Sequence, residues 1–99
     1  MDAKKERYRR VRGAILKILA KEHPRPVDSQ VVHALLDDMR LTVTDEECES
    51  HICYLEERHL VHIDKRKTAG IKLHMITISA DGLDVLDGIT EDKGVNAAF

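Results

Sequence analysis

The sequence predicts an α+β fold that is mainly helical, with three helices followed by a β-hairpin and a short fourth helix. Three observations predict it. Apolar residues recur at helical spacing in the first half of the chain, prolines and capping residues separate these segments, and two short β-branched segments follow. A chain of 99 residues has the size of one domain. We place that domain at residues 1–88 and expect residues 89–99 to form a C-terminal tail without a periodic pattern.

The first two helices are predicted from apolar spacing and from their boundaries. The first spans roughly residues 4–22 and ends before Pro24, because proline disfavours helical backbone in the residue that precedes it. The second begins after Asp28 or Ser29, either of which is a good N-cap. Its apolar positions are Val32, Leu35, Leu36 and Met39.

The third helix has the clearest N-terminal signal in the chain. Thr44 and Glu47 have the spacing of a capping box, in which each side chain bonds the backbone amide of the other residue. Cys48, Ile52 and Leu55 then form one buried stripe. The residues left mostly toward solvent are Asp45, Glu46, Glu49, Ser50, Cys53, Glu56 and Glu57.

Two predicted strands, Leu60–Ile63 and Ile71–Ile78, flank a polar turn at residues 64–70. The alternation of apolar and polar residues slips near Met75, so we expect either a β-bulge there or a strand buried on both faces. A short final helix begins after Ser79 and ends at Gly88.

This order of elements is that of a winged helix-turn-helix, in which the hairpin is the wing. Residues 52–61 (ICYLEERHLV) also resemble a signature of winged-helix regulators that reads leucine, acid, acid, any residue, glycine, leucine, valine, with His59 in place of the glycine. Residues 78–88 (ISADGLDVLDG), followed by Gly94 and Val95, resemble small winged-helix proteins of Mu-like prophages that are labelled arsenic-repressor-like. This resemblance implies a dimeric DNA-binding protein that regulates transcription.

The net charge of −2 conceals strongly charged segments: residues 1–22 carry +5, residues 44–58 carry −5 and residues 64–72 carry +3. A winged helix ordinarily places its third helix in the major groove of double-stranded DNA, but carboxylates on that helix oppose the phosphates. We therefore assign the phosphate contacts to the wing and the first helix, and the groove contacts to less acidic positions. The predicted DNA-binding residues are Lys65, Arg66, Lys67, Lys72, Arg9, Arg12, Ser50 and Tyr54.

An alternative needs no DNA: a winged-helix module that binds a protein partner through Asp45, Glu46 and Glu49. In the first helix, the basic residues can equally form an ordinary solvated face. A homodimer could form through the first and fourth helices with Leu16, Val85 and Leu86 as its seam, unless these three residues complete the core.

Several classes of protein are not expected. No apolar run approaches the roughly 20 residues of a membrane span, so we expect a cytoplasmic chain with reduced Cys48 and Cys53. These two cysteines face different directions on one helix, and we therefore predict no metal site, with Cys48 a buried structural residue. The glycines are dispersed and form no phosphate loop. We predict no enzyme activity and no cofactor, and no small-molecule ligand is evident.

Overall fold

The computed structural model describes residues 2–98, which form four α-helices and one three-stranded antiparallel sheet. In chain order the elements are α1 (Ala3–Glu22), β1 (Val27–Asp28), α2 (Ser29–Asp38), α3 (Asp45–Glu57), β2 (Val61–Thr68), β3 (Ile71–Ile78) and α4 (Ala80–Leu86). The predicted mainly helical α+β fold, with a hairpin after the third helix and a short helix at the end, is confirmed. Among residues 2–98, none of the helices combines the length and the apolar character that a membrane span requires.

The capping box of α3 forms as the sequence predicts. The Thr44 hydroxyl accepts a bond from the Glu47 amide at 3.1 Å, and the Glu47 carboxylate accepts one from the Thr44 amide at 2.9 Å. The hydrogen bond from the Thr44 backbone has the largest effect, and together with the side-chain bond it holds the pKa of Glu47 below its ordinary value. Asp28 caps α2 by accepting a bond from the Gln30 amide at 2.9 Å. Local hydrogen bonds therefore set the starts of both helices.

The end of α3 requires left-handed backbone at His59, where φ is 63°. The Leu60 amide donates to the Leu55 carbonyl at 2.9 Å, which closes the helix in the manner of a Schellman motif. Glycine adopts this conformation without steric cost, whereas a residue with a Cβ atom is strained there. The substitution of His59 for the glycine of the winged-helix signature therefore keeps the turn and adds strain.

A short strand that the sequence pattern does not predict completes the sheet. The strand order is β1-β3-β2, with Val27 opposite Ile76 and Asp28 opposite Met75. The register of β2 and β3 runs without interruption, so the expected bulge near Met75 is absent. Instead β3 is the central strand, with Ile76 fully buried on one face and Met75 half-buried on the other. This position explains the slip in the apolar pattern.

The turn of the hairpin is shorter than predicted. Residues 64–68 lie in β2 and are not part of the turn, which consists of Ala69 and Gly70. Their φ angles of 52° and 78° are those of a two-residue turn with left-handed backbone at both positions. The basic residues of the hairpin therefore lie on paired strands, and their directions are fixed by the pleat of the sheet.

The core lies where α1, α2 and α3 pack together and against the sheet. Its fully buried large side chains include Ile15, Leu16, Leu19, Leu36, Ile52, Leu55 and Ile76. Because Leu16 is fully buried, it completes the core and offers no surface for a dimer seam. Of the four apolar positions predicted for the second helix, Val32 and Leu36 are buried, while Leu35 and the C-cap residue Met39 are 38% and 40% exposed. At 3.6 residues per turn all four positions lie within about 100° of the helix circumference, with Leu35 toward one edge of that arc and Leu36 toward the other. The core therefore covers only part of the apolar face of α2.

Residues 89–98 pack against the domain, although their sequence shows no pattern. Val95 is buried in the hydrophobic core, and the Asn96 amide donates to the Arg9 carbonyl at 3.0 Å. A Cβ atom on Gly13 would collide with the Asn96 carbonyl oxygen, so the segment runs directly over the backbone of α1. The division into a domain at residues 1–88 and a separate C-terminal tail stays a prediction.

Candidate nucleic-acid interface

Three exposed lysines share one face of the hairpin. In β2 and β3, Lys67 lies directly opposite Lys72, and Lys65 lies opposite His74. Residues that are directly opposite share a face of the sheet, and so do residues two apart along a strand. The face that carries Ile76 into the core therefore continues outward as a basic surface. We call Lys65, Lys67 and Lys72 the wing lysines.

The wing lysines carry uncompensated charge. Within residues 2–98 none of the three forms an ion pair, and like charges directly opposite each other, as at Lys67 and Lys72, destabilise a strand pair. An anion placed over this face would relieve the repulsion. The arrangement thus provides a concentrated positive surface at the exposed end of the domain.

Arg66 lies on the opposite face of the hairpin. Its side chain lies on the same face of the sheet as that of Asp64, and its Nε donates to the Asp64 carboxylate at 2.7 Å. Both side chains are exposed, so the ion pair contributes little to stability. The arginine nevertheless has a carboxylate partner and a direction that the wing lysines do not share.

The carboxylates of α3 are largely engaged in hydrogen bonds to neighbouring elements. Asp45 lies 2.9 Å from His33 Nδ1 of α2, and Glu49 lies 3.3 Å from His74 Nδ1 of β3. Glu56 accepts a bond from the Ile63 amide at 3.0 Å. The acidic residues therefore anchor the third helix to the second helix and to the wing, which the count of charges in the sequence did not reveal.

Three outward positions of α3 retain free side chains. Glu46, Ser50 and Cys53 are exposed and occupy one strip of the helix at spacings of four and three residues. Within the described residues no side-chain hydrogen bond or ion pair involves them. Of the two predicted groove contacts, Ser50 is therefore open to solvent.

Tyr54, the other predicted groove contact, is half-buried in a cluster with Arg12. The Arg12 guanidinium lies 3.8 Å from the centre of the Tyr54 ring, in cation–π geometry. It also donates to His51 Nδ1 at 3.2 Å and to the Gly94 carbonyl at 3.1 Å. A Cβ atom on Gly94 would collide with the Tyr54 hydroxyl, so the C-terminal segment covers this ring closely.

Arg9 holds the same C-terminal segment. Its Nε donates to the Lys93 carbonyl at 2.9 Å, and Nη1 donates to Glu6 at 2.8 Å. The hydrogen bonds of Glu6 with Asn96 and Arg9 hold the pKa of that carboxyl below its ordinary value. The predicted arginines of α1 therefore bind other parts of the same chain, whereas the wing lysines form no ion pair and no side-chain hydrogen bond with any of residues 2–98.

Burial changes the acid–base properties of two residues of α3. Burial, with the nearby Arg12 charge, lowers the pKa of His51 to about 4, so the ring is neutral at pH 7. Burial, with the charges of Glu49 and Asp45, raises the pKa of the Cys48 thiol to about 11. Across residues 2–98 no three His, Cys, Asp or Glu side chains converge to hold a metal ion.

A solved structure supplies the comparison for the whole fold. The chain is similar to a PadR-like transcription factor from Bacteroides fragilis, with a TM-score of 0.66 and 16% sequence identity over 79% of this chain and 74% of that chain. No protein-family model matches the sequence, and no curated protein matches it. The finer resemblance to arsenic-repressor-like prophage proteins finds no support here and stays a prediction. The match shows the overall architecture, and the chain has the winged-helix fold that the order of its elements predicts.

Proposed function

We propose that this protein binds double-stranded DNA as a winged-helix regulator, with the wing lysines contacting phosphates. The observation that carries the proposal is the placement of Lys65, Lys67 and Lys72 on one exposed face without a carboxylate partner. Phosphate neutralisation by lysine supplies most of the sequence-independent affinity for DNA. The similarity to a PadR-like transcription factor supports the same function.

The predicted contacts divide into two groups under this proposal. The wing lysines bind the backbone, and Ser50, whose hydroxyl is exposed, reaches the groove. Arg9 and Arg12 hold the C-terminal segment, and we propose that they support the domain more than they contact DNA. Tyr54 also supports the domain, because its ring packs against the Arg12 guanidinium.

Adjacent residues on opposite faces of one strand provide the matched test. Lys67→Gln and Arg66→Gln remove the same charge at neighbouring positions, but only Lys67 lies on the proposed DNA face. We would measure binding of a random duplex by fluorescence anisotropy between about 50 and 200 mM salt. Lys67→Gln should reduce the log–log salt slope by about 0.9, the value for one lost phosphate contact. Arg66→Gln should change the slope much less.

The triple variant Lys65→Gln/Lys67→Gln/Lys72→Gln extends the test. Its salt slope should fall by about 2.7, while a control with Lys4, Lys5 and Lys93 changed to Gln keeps the wild-type slope. If the salt slope falls equally in both triple variants, the binding depends only on the total positive charge and not on the wing lysines. Absence of wild-type binding at micromolar protein and low salt would overturn the proposal.

A second candidate is a protein-interaction module that uses Asp45, Glu46 and Glu49 of α3. The exposed carboxylate of Glu46, at the outer strip of a helix segment with a charge of −5, favours it. Glu46→Gln distinguishes the candidates. If DNA is the partner, this change removes repulsion from the phosphates and strengthens DNA binding; if a basic protein is the partner, DNA binding is absent in both forms.

A further inference from the structure

An apolar groove of about 560 Å³ lies between α1 and α2, formed by residues that the proposed function does not use. Ile18 and Val27 line it and are buried residues of the hydrophobic core. Val31 and Leu35 of α2 and its C-cap residue Met39 line it at i, i+4 and i+8, and they are 48%, 38% and 40% exposed. A scattered exposed apolar residue is normal, but a continuous stripe beside a groove marks an interaction surface. We call this surface the α1–α2 groove.

The two sides of the α1–α2 groove carry opposite charges. Two lysines and one glutamate, Lys17, Lys21 and Glu22, line the side formed by α1 and leave it with a net positive charge, whereas Asp28 and Asp38 line the side formed by α2 and its N-cap. A surface with a basic edge, an apolar centre and an acidic edge can be complementary to itself. Self-complementarity is the requirement for a two-fold symmetric interface.

We propose that the α1–α2 groove binds the same groove of a second copy of this chain. A two-fold axis along the groove sets the α1 side of one copy against the α2 side of the other. The lysines of each copy then face the aspartates of its partner, and the two apolar stripes meet between them. An axis across the groove would instead set lysines against lysines, which the charges oppose.

The size of the groove predicts a weak dimer. Eleven residues line it, fewer than the roughly 20 to 30 residues per side of a stable interface of standard size. We therefore expect a dissociation constant in the micromolar range. The seam expected from the sequence between the first and fourth helices is a different surface, where Val85 and Leu86 are half-buried and Leu16 is unavailable.

Sedimentation equilibrium of the full chain, with and without Leu35→Glu, tests the interface. The wild type should dimerise reversibly, and a charge at the centre of the stripe should weaken association at least about tenfold. Ile71→Glu is the matched control, because Ile71 is 61% exposed at the hairpin end and away from the groove. Circular dichroism melts check folding, and Val31→Lys replaces Leu35→Glu if that variant does not fold.

A charge exchange tests which sides of the groove meet. Lys21→Glu and Asp38→Lys should each dimerise less than the wild type, because each places like charges together. An equimolar mixture of the two variants should associate again, because each copy then meets the opposite charge. Failure of the mixture to associate contradicts the proposed axis.

Two further results would overturn the proposal. One is a wild-type chain that stays monomeric at several hundred micromolar, which would leave the groove to another ligand or protein. The other is a dimer that Leu35→Glu leaves intact and Leu86→Glu disrupts, which would assign the interface to α4.

Discussion

The neutral, buried His51 predicts that the domain loses stability in mild acid. Only 4% of this residue is exposed, its ring meets Tyr8 edge-on at 5.0 Å between ring centres, and its Nδ1 accepts a hydrogen bond from Arg12. Arginine stays protonated and only donates, so the bond favours an unprotonated Nδ1. Burial and the Arg12 charge lower the pKa of His51 to about 4, against an ordinary value of 6.5 in the unfolded chain.

The sign of the effect follows from proton binding. Between pH 6.5 and pH 4 the unfolded chain binds a proton at His51 that the folded chain does not bind, so acid favours unfolding. The contribution is fully present above pH 6.5 and is lost as the pH falls toward 4. At 1.36 kcal/mol per pKa unit, the loss reaches about 3 kcal/mol, a large part of the roughly 5–15 kcal/mol that stabilises a domain.

Urea unfolding followed by circular dichroism at pH values from 7 to 4.5 measures this loss. His51→Gln is the comparison, since the glutamine carbonyl can accept the Arg12 bond and does not titrate. The free energy of unfolding of the wild type should fall by about 2 kcal/mol more than that of His51→Gln over this range. His62→Gln, at an exposed histidine of β2, should follow the wild type. Parallel pH profiles for the wild type and His51→Gln would refute the reasoning, as would an NMR titration of His51 with a midpoint near 6.5.

Two further predictions concern the backbone. His59→Gly should raise the free energy of unfolding by about 1 kcal/mol, because φ is 63° at this position and glycine adopts such backbone without a Cβ clash; a lower melting temperature would show that the His59 side chain stabilises the domain. Gly94→Ala should destabilise by about 1–3 kcal/mol, because its Cβ atom meets the rigid Tyr54 ring. An unchanged melting temperature for Gly94→Ala would show that residues 89–98 detach from the domain at little cost.

The elements that the sequence predicts best are those held by local interactions. The capping box at Thr44 and Glu47 and the N-cap at Asp28 connect residues two or three positions apart, so their hydrogen bonds are visible in the residue order. The buried stripe of α3 follows the helical repeat in the same way. These features sufficed to predict the helices, the hairpin and the winged-helix order.

The functional surface was predicted less well, because it depends on register and on distant partners. The sequence places Lys65, Arg66, Lys67 and Lys72 in one basic segment, but the pairing of β2 with β3 divides them between two faces. Arg12 is one more basic residue in the sequence, and only the folded chain places its guanidinium over the Tyr54 ring and within hydrogen-bond distance of the Gly94 carbonyl. Composition records the charge of a side chain and not its direction.

By itself, then, the sequence determined the order of the four helices and the hairpin, and the chain's division into basic and acidic segments. Tertiary structure decided that Val27–Asp28 joins the sheet, that Val95 enters the core and that Leu35 and Met39 stay exposed. Each of these outcomes depends on contacts between residues far apart in the chain. Such contacts form only when the whole chain buries its apolar surface together, so no short window of residues contains them.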